Sequence, residues 1–122
     1  MSFLSYLWNG LINALSYIWS IAVKIVKAVV NFFSDIYAFL GGVLDEVGND
    51  KEAFMVDMPK LIKDARANGH VVDVGLKNRA SVGAGVIDPN TGIIESFKIV
   101  DADTRDSQTQ SVFHGQKVVV LE

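Results

Sequence analysis

The chain has 122 residues, 50% of them hydrophobic and 20% charged, with a formal net charge of −3 and no cysteine. The lack of cysteine excludes a disulfide framework, a zinc ribbon and a thiol nucleophile, and the mild acidity argues against a nucleic-acid-binding protein. These averages conceal a split: residues 1–34 carry only Lys24 and Lys27, whereas the other nine basic and all fourteen acidic residues fall in 35–122.

Along the first segment the polar positions are Ser2, Ser5, Asn9, Asn13, Ser16, Ser20, Lys24, Lys27, Asn31 and Asp35, and nearly everything between them is apolar. Spacings of three and four residues make each position recur eleven residues later, about 3.67 residues per turn, close to the period of one straight helix. The pattern predicts a single helix over 1–40 with Gly10 inside it and Gly41-Gly42 as its stop. At about 1.5 Å per residue such a helix is close to 60 Å long, roughly twice a bilayer core. Its polar stripe is too narrow for an ordinary surface helix. Burial in lipid, in neighbouring copies, or as a simple anchor all fit it. In the first case the stripe forms an interhelical seam or lines a lumen, which makes a transmembrane, pore-forming oligomer one expectation. Tyr6, Trp8, Tyr17 and Trp19 repeat at the same interval and read as an interfacial aromatic belt or as packing knobs between helices. The segment has neither the basic start nor the cleavage site of a signal peptide.

Residues 41–56 hold Gly41, Gly42 and Gly48 and read as a hinge, so the expected division is a helix over 1–40, a connector over 41–56 and a module over 57–122. Within the module, Asp57 is a helix N-cap signal, Pro59 is tolerated in the first turn and Gly69 is a stop. Met58, Leu61, Ile62 and Ala65 share one face of that short helix. From His70 the period changes to two. His70–Leu76 is a strand candidate, and residues 79–87 and 93–100 form a hairpin about the turn Asp88-Pro89-Asn90-Thr91-Gly92. Gly83 and Gly85 on one strand face imply close approach by another backbone or helix. Residues 101–111 read as a polar loop, and 112–121 as one or two closing strands. The expected fold is therefore α+β: a long apolar N-terminal helix with an 11-residue polar stripe, then a short helix and a small antiparallel sheet. A sheet this small leans on neighbouring copies, and its edges invite pairing between subunits.

Chemistry-bearing patterns are few. His70 and His114 would need a third ligand such as Asp73 or Asp101 to hold a metal, and their spacing does not supply one. Residues 101–106 resemble the start of a calcium loop but lack its glycine and closing glutamate. Gly83-x-Gly85 lacks the third glycine of a phosphate loop. Ser81, Ser96, Ser107 and Ser111 lack a nucleophile-elbow context. No catalytic residue, metal, cofactor or small-molecule substrate is expected.

The layout of an apolar N-terminal helix followed by a small β module is similar to that of type IV pilins and of membrane-linked virion proteins. The pilin pattern has Glu at the fifth helix position, where this chain has Ser5. The resulting expectation is a non-enzymatic structural protein whose partners are copies of itself and a lipid bilayer. It is placed at a membrane or within a large assembly such as a virion or tube, with its C-terminal module facing solvent. A membrane-anchored binding module, with a partner site in 101–111, is the remaining alternative.

Overall fold

In the computed structural model, residues 2–48, 50–70, 76 and 79–121 are described. The chain begins with two consecutive helices, α1 (Phe3–Asn13) and α2 (Leu15–Ile21), followed by strand β1 (Val23–Val30). A π-helical turn, Phe32–Tyr37, runs directly into α3 (Ala38–Val47). Then come β2 (Glu52–Asp57), α4 (Met58–Ala67), β3 (Val82–Ile87), β4 (Ile94–Arg105), α5 (Ser107–Phe113) and β5 (Val118–Leu121). The five strands form one sheet in the order β1-β4-β3-β2-β5. β1 is parallel to β4, and all the other neighbours are antiparallel.

Both faces of the sheet are covered. On one face Leu7, Trp8, Leu11, Ile12, Leu15 and Ile18 of α1 and α2, with Met58, Leu61 and Ala65 of α4, pack on Phe54, Val56, Phe97 and Ile99. On the other face Phe32, Ile36, Leu40 and Phe113 pack on Met55, Val82, Ala84, Val86 and Val100. The architecture is a three-layer α/β/α arrangement around a mixed sheet. Side chains alternate between faces along each strand, so a strand covered on both sides reads as a continuous apolar run. Every residue of β3 is buried for this reason.

The single helix expected over 1–40 does not form. α1 has 11 residues and α2 has seven. The helical path bends at Ala14 (φ −100°, ψ 12°) and ends at Ala22, whose ψ of 135° is extended. The reason is composition: Val23, Ile25, Val26, Val29 and Val30 put five β-branched residues into the eight of β1. Such residues lose side-chain freedom in a helix and fit a pleated strand. Among the described residues no helix is long and apolar enough to cross a membrane. The transmembrane and pore-forming expectations are overturned with it.

Further corrections follow along the chain. Gly41 and Gly42 lie inside α3, and the backbone turns only at Gly48, with φ 103°. The expected connector over 41–56 instead holds the end of α3 and all but the last residue of β2. Strand β1, from the first segment, and β2, from the second, belong to the same sheet as β3, β4 and β5. The polar loop expected over 101–111 is the last part of β4 followed by α5, capped by the Asp106 carboxylate on Thr109 N at 2.8 Å. The closing strand is confined to Val118–Leu121, after a turn through His114 (φ 48°) and Gly115 (φ 74°). Residues 71–75 of the expected strand His70–Leu76, Asp73 included, lie outside the described residues.

Other local signals match the structure. Asp57 caps α4 by accepting from Lys60 N at 3.0 Å, and Met58, Leu61, Ile62 and Ala65 are its buried face. β3 and β4 pair antiparallel about the turn at Asp88–Gly92, where Gly92 has φ 76° and the Asp88 carboxylate accepts from Asn90 N. The close approach at Gly83 and Gly85 comes from the Phe54 and Phe97 rings, from Met58 of α4 and from the β4 backbone at Ser96. A Cβ on Gly83 would meet Phe97 at 2.5 Å and Met58 Sδ at 2.8 Å, and one on Gly85 would meet Phe54 at 2.9 Å.

Candidate assembly interface

Among the described strands, β1 lies at one edge of the sheet and β5 at the other. β1 is the longer edge, eight residues against four. It is held on one side by a parallel ladder that pairs Val23 with Lys98 and Val30 with Arg105. The Val30 carbonyl accepts from Asp106 N at 2.9 Å, so the backbone groups of Val30 point toward β4. Backbone groups alternate in direction along a strand. Those of Val26 therefore also point inward, and those of Val23, Ile25, Lys27 and Val29 point to the open edge.

Three valine side chains of this edge are uncovered, whereas Val30 is buried and Ile25 packs against the core. Val26 is 70% exposed, Val23 56% and Val29 43%. Neither covering layer reaches them. The turn after β1 adds exposed Phe33 and Tyr37, edge-to-face with ring centres 6.2 Å apart. Natural sheet edges are usually protected by lysines pointing into solvent. Here both lysines of β1 have partners within the chain. Lys24 Nζ lies 5.4 Å from the centre of the Trp19 ring. Lys27 Nζ donates to both oxygens of the Asp35 carboxylate at 2.8 and 2.9 Å. Asp35 is buried, and its carboxylate also accepts from Asn31 N at 2.8 Å. The protective charge of the edge is thus partly neutralised by the turn that follows it.

The structure separates the expected polar stripe into two parts. Ser2, Ser5, Asn9, Asn13, Ser16 and Ser20 lie on the exposed outer side of α1 and α2. Ser2 Oγ caps α1 by accepting from Ser5 N, and Ser20 Oγ donates to Tyr17 O at 2.6 Å. Lys27, Asn31 and Asp35 come together through a strand and a turn, and Asn31 Oδ1 accepts from Ser34 N at 3.1 Å. The aromatic residues do not form one belt. Tyr6 and Tyr17 are exposed, while Trp8 is buried and donates from Nε1 to Asp64 Oδ2 at 3.1 Å. Lys117 Nζ sits 4.4 Å from the centre of the Trp8 ring.

Polar clusters elsewhere act as fastenings. Arg105 meets Asp57 Oδ2 at 3.1 Å and donates to Ala80 O and Ser81 O at 2.9 and 3.1 Å. Ser81 Oγ donates to buried Asp101 at 2.6 Å. Asp101 and Asp106 of the calcium-like stretch are thus engaged separately, one with Ser81 and one at the start of α5. Lys51 bonds Asp88 at 3.0 Å, which raises the lysine pKa and lowers that of the aspartate. Burial pushes the Asp106 carboxyl up, but hydrogen bonds from the Thr109 hydroxyl, Thr109 N and Phe32 N hold it below its ordinary value. Among the described residues no three metal-ligating side chains gather, and no buried side-chain polar atom lacks a partner. A cleft of about 360 Å³ lies between α1 and the start of β5 and is lined by Ser5, Trp8, Asn9 and Lys117.

Reasoning from polar spacing missed β1. The available signal was the density of β-branched residues from Ile21 to Val30, which the eleven-residue pattern masked. No known protein family matches this chain, and no curated protein or solved structure is similar to it.

Proposed function

We propose that the protein is a non-enzymatic structural protein that assembles with copies of itself, and that strand β1 is the surface it uses. The observation that carries this reading is the open β1 edge: four residues present backbone hydrogen-bonding groups to it, flanked by exposed Val23, Val26 and Val29. Unpaired strand edges are templates for another chain. The assembly expected from the apolar first segment is kept, but its mechanism changes from helix packing to strand addition. Among the described residues the buried carboxylates of Asp35, Asp57 and Asp101 are each engaged in fastening the fold.

The test is the mass of the full chain in solution across a concentration series, by sedimentation velocity. Species larger than the 13.3 kDa monomer are expected to grow in as concentration rises. Val26→Lys should move that growth to about tenfold higher concentration with an unchanged circular dichroism spectrum, since Val26 is mostly solvated and its backbone groups bond to β4. A wild-type chain that stays at 13.3 kDa throughout overturns the proposal.

A further inference from the structure

We infer that the partner at β1 is the β1 strand of a second copy, antiparallel, with the two-fold axis passing through Val26. This rests on the self-association proposed above and adds its geometry. In a continuous sheet, residues directly opposite each other project from the same face. A symmetric antiparallel pair must therefore be centred on a residue and not between two.

Three observations select Val26. First, it is the most exposed large hydrophobic residue described in the chain, at 70%. Second, its backbone groups point to β4, so a Val26–Val26 pair would be of the non-hydrogen-bonded kind. Ile25 then faces Lys27 of the other copy, and Val23 faces Val29. These are the four residues whose N–H and C=O groups point outward, and the pairing forms about eight inter-copy hydrogen bonds. Third, charge separates the registers. With Val26 on the axis, Lys24 faces Ala28 and Lys27 faces Ile25, so no lysine opposes a lysine. Centring on Lys27 sets two ammonium groups directly opposite each other, which destabilises a pair. Centring on Ile25 or Ala28 leaves part of the strand unpaired.

The competing partner is β5 of a second copy, which runs antiparallel to β1 in the sheet. It has four residues, so it would leave half of β1 open and form about four hydrogen bonds. The isologous pair satisfies the whole edge and joins two five-stranded sheets into one.

The chain has no cysteine, so single-cysteine variants report the register without background. Val23→Cys, Val26→Cys and Val29→Cys are each oxidised under mild conditions and resolved on a non-reducing gel. Val26→Cys should give a covalent dimer in high yield, because a non-hydrogen-bonded pair brings the two Cα atoms to about 4.5 Å. Val23→Cys and Val29→Cys should each remain mostly monomeric, and mixing the two should restore cross-linking. Val26→Lys should weaken association about tenfold, since it sets like charges across the axis. Equal cross-linking of all three single variants indicates parallel strands and overturns the inference. So does a wild-type oligomer in which Val26→Cys fails to cross-link, with self-association itself intact. A wild-type chain that is monomeric throughout removes both proposals.

Discussion

Replacing Arg105 by alanine tests the fastening at the end of the sheet. The Arg105 and Asp57 side chains are only 9% and 10% exposed and meet at 3.1 Å. The same guanidinium bonds the carbonyls of Ala80 and Ser81 and lies 4.9 Å from the centre of the Phe113 ring. It thus joins the start of α4, the approach to β3, the end of β4 and α5. Removing one partner of a buried pair leaves the other charge uncompensated and costs about 3–5 kcal/mol. The lost ring contact adds about 0.5–1 kcal/mol. A domain of this length has only about 6–18 kcal/mol of stability, so Arg105→Ala should remove a large share of it. Arg105→Lys keeps the charge but loses the fork geometry and should fall between wild type and alanine. Urea unfolding followed by circular dichroism gives the difference, provided the slope with denaturant is unchanged. A cost below about 1 kcal/mol for Arg105→Ala would refute the argument, because exposed pairs have that magnitude.

Gly85→Ala should destabilise the sheet by about 1–3 kcal/mol through overpacking, since its methyl would lie 2.7 Å from Ser96 O and 2.9 Å from Phe54. Thermal melting checks this, and an unchanged midpoint would show that the rings can withdraw. Asp106 has a lowered pKa, so its contribution is present above the unfolded value of about 3.9 and is lost as pH falls through the lower folded value. Asp106→Asn should therefore be less stable than wild type at neutral pH, with the gap closing below about pH 4. Lys51 has the opposite sign: its raised pKa makes its bond to Asp88 present below about pH 10.4 and lost as pH rises further. Lys51→Met should flatten the alkaline limb of the stability curve.

What was legible in the sequence is what short-range chemistry decides. The cap at Asp57 and the turn at Asp88–Gly92 each depend on a few adjacent residues. The apolar face of α4 repeats within ten residues. The failures have three different physical causes. From Ser2 to Ser20 the polar spacing does mark a helical surface, and it continues through Lys24, Lys27, Asn31 and Asp35 although the structure changes. Two of those residues lie on a strand and two fasten a turn, so similar spacing has different origins on either side of Ala22. β2 was hidden because a strand buried on both faces has no alternation for a periodicity argument to find. The far half of β4 was hidden because Asp101 and Arg105 look like loop residues until Ser81 and Asp57 supply their partners. Those partners lie 20 and 48 positions away in the sequence. The β1 edge combined the first and third causes, since Asp35 and Trp19, which engage its lysines, look from sequence like members of the helical stripe and belt.

The difference between the two sheet edges predicts the size of the first assembly. A heterologous contact between unlike edges adds copies until its rotation closes a ring, or without limit if it does not close, whereas an isologous one is complete at two copies. β1 has eight residues and exposed valines on both faces, while β5 has four residues, with Val118 buried and the next three half-buried. Short edge strands are one of the ways natural sheets resist further pairing. Two copies joined through β1 should therefore accumulate as a plateau at twice the 13.3 kDa monomer before anything larger forms. Light scattering coupled to size exclusion reads that plateau directly. Electron microscopy of the same samples should show filaments or tubes only at concentrations above it, where the weaker β5 edge or the outer face of α1 and α2 begins to contribute. Open-ended growth directly from monomer would mean that β5 is the stronger partner. The four-residue strand would then be pairing with β1 in preference to the eight-residue one, contrary to the count of hydrogen bonds each pairing can form.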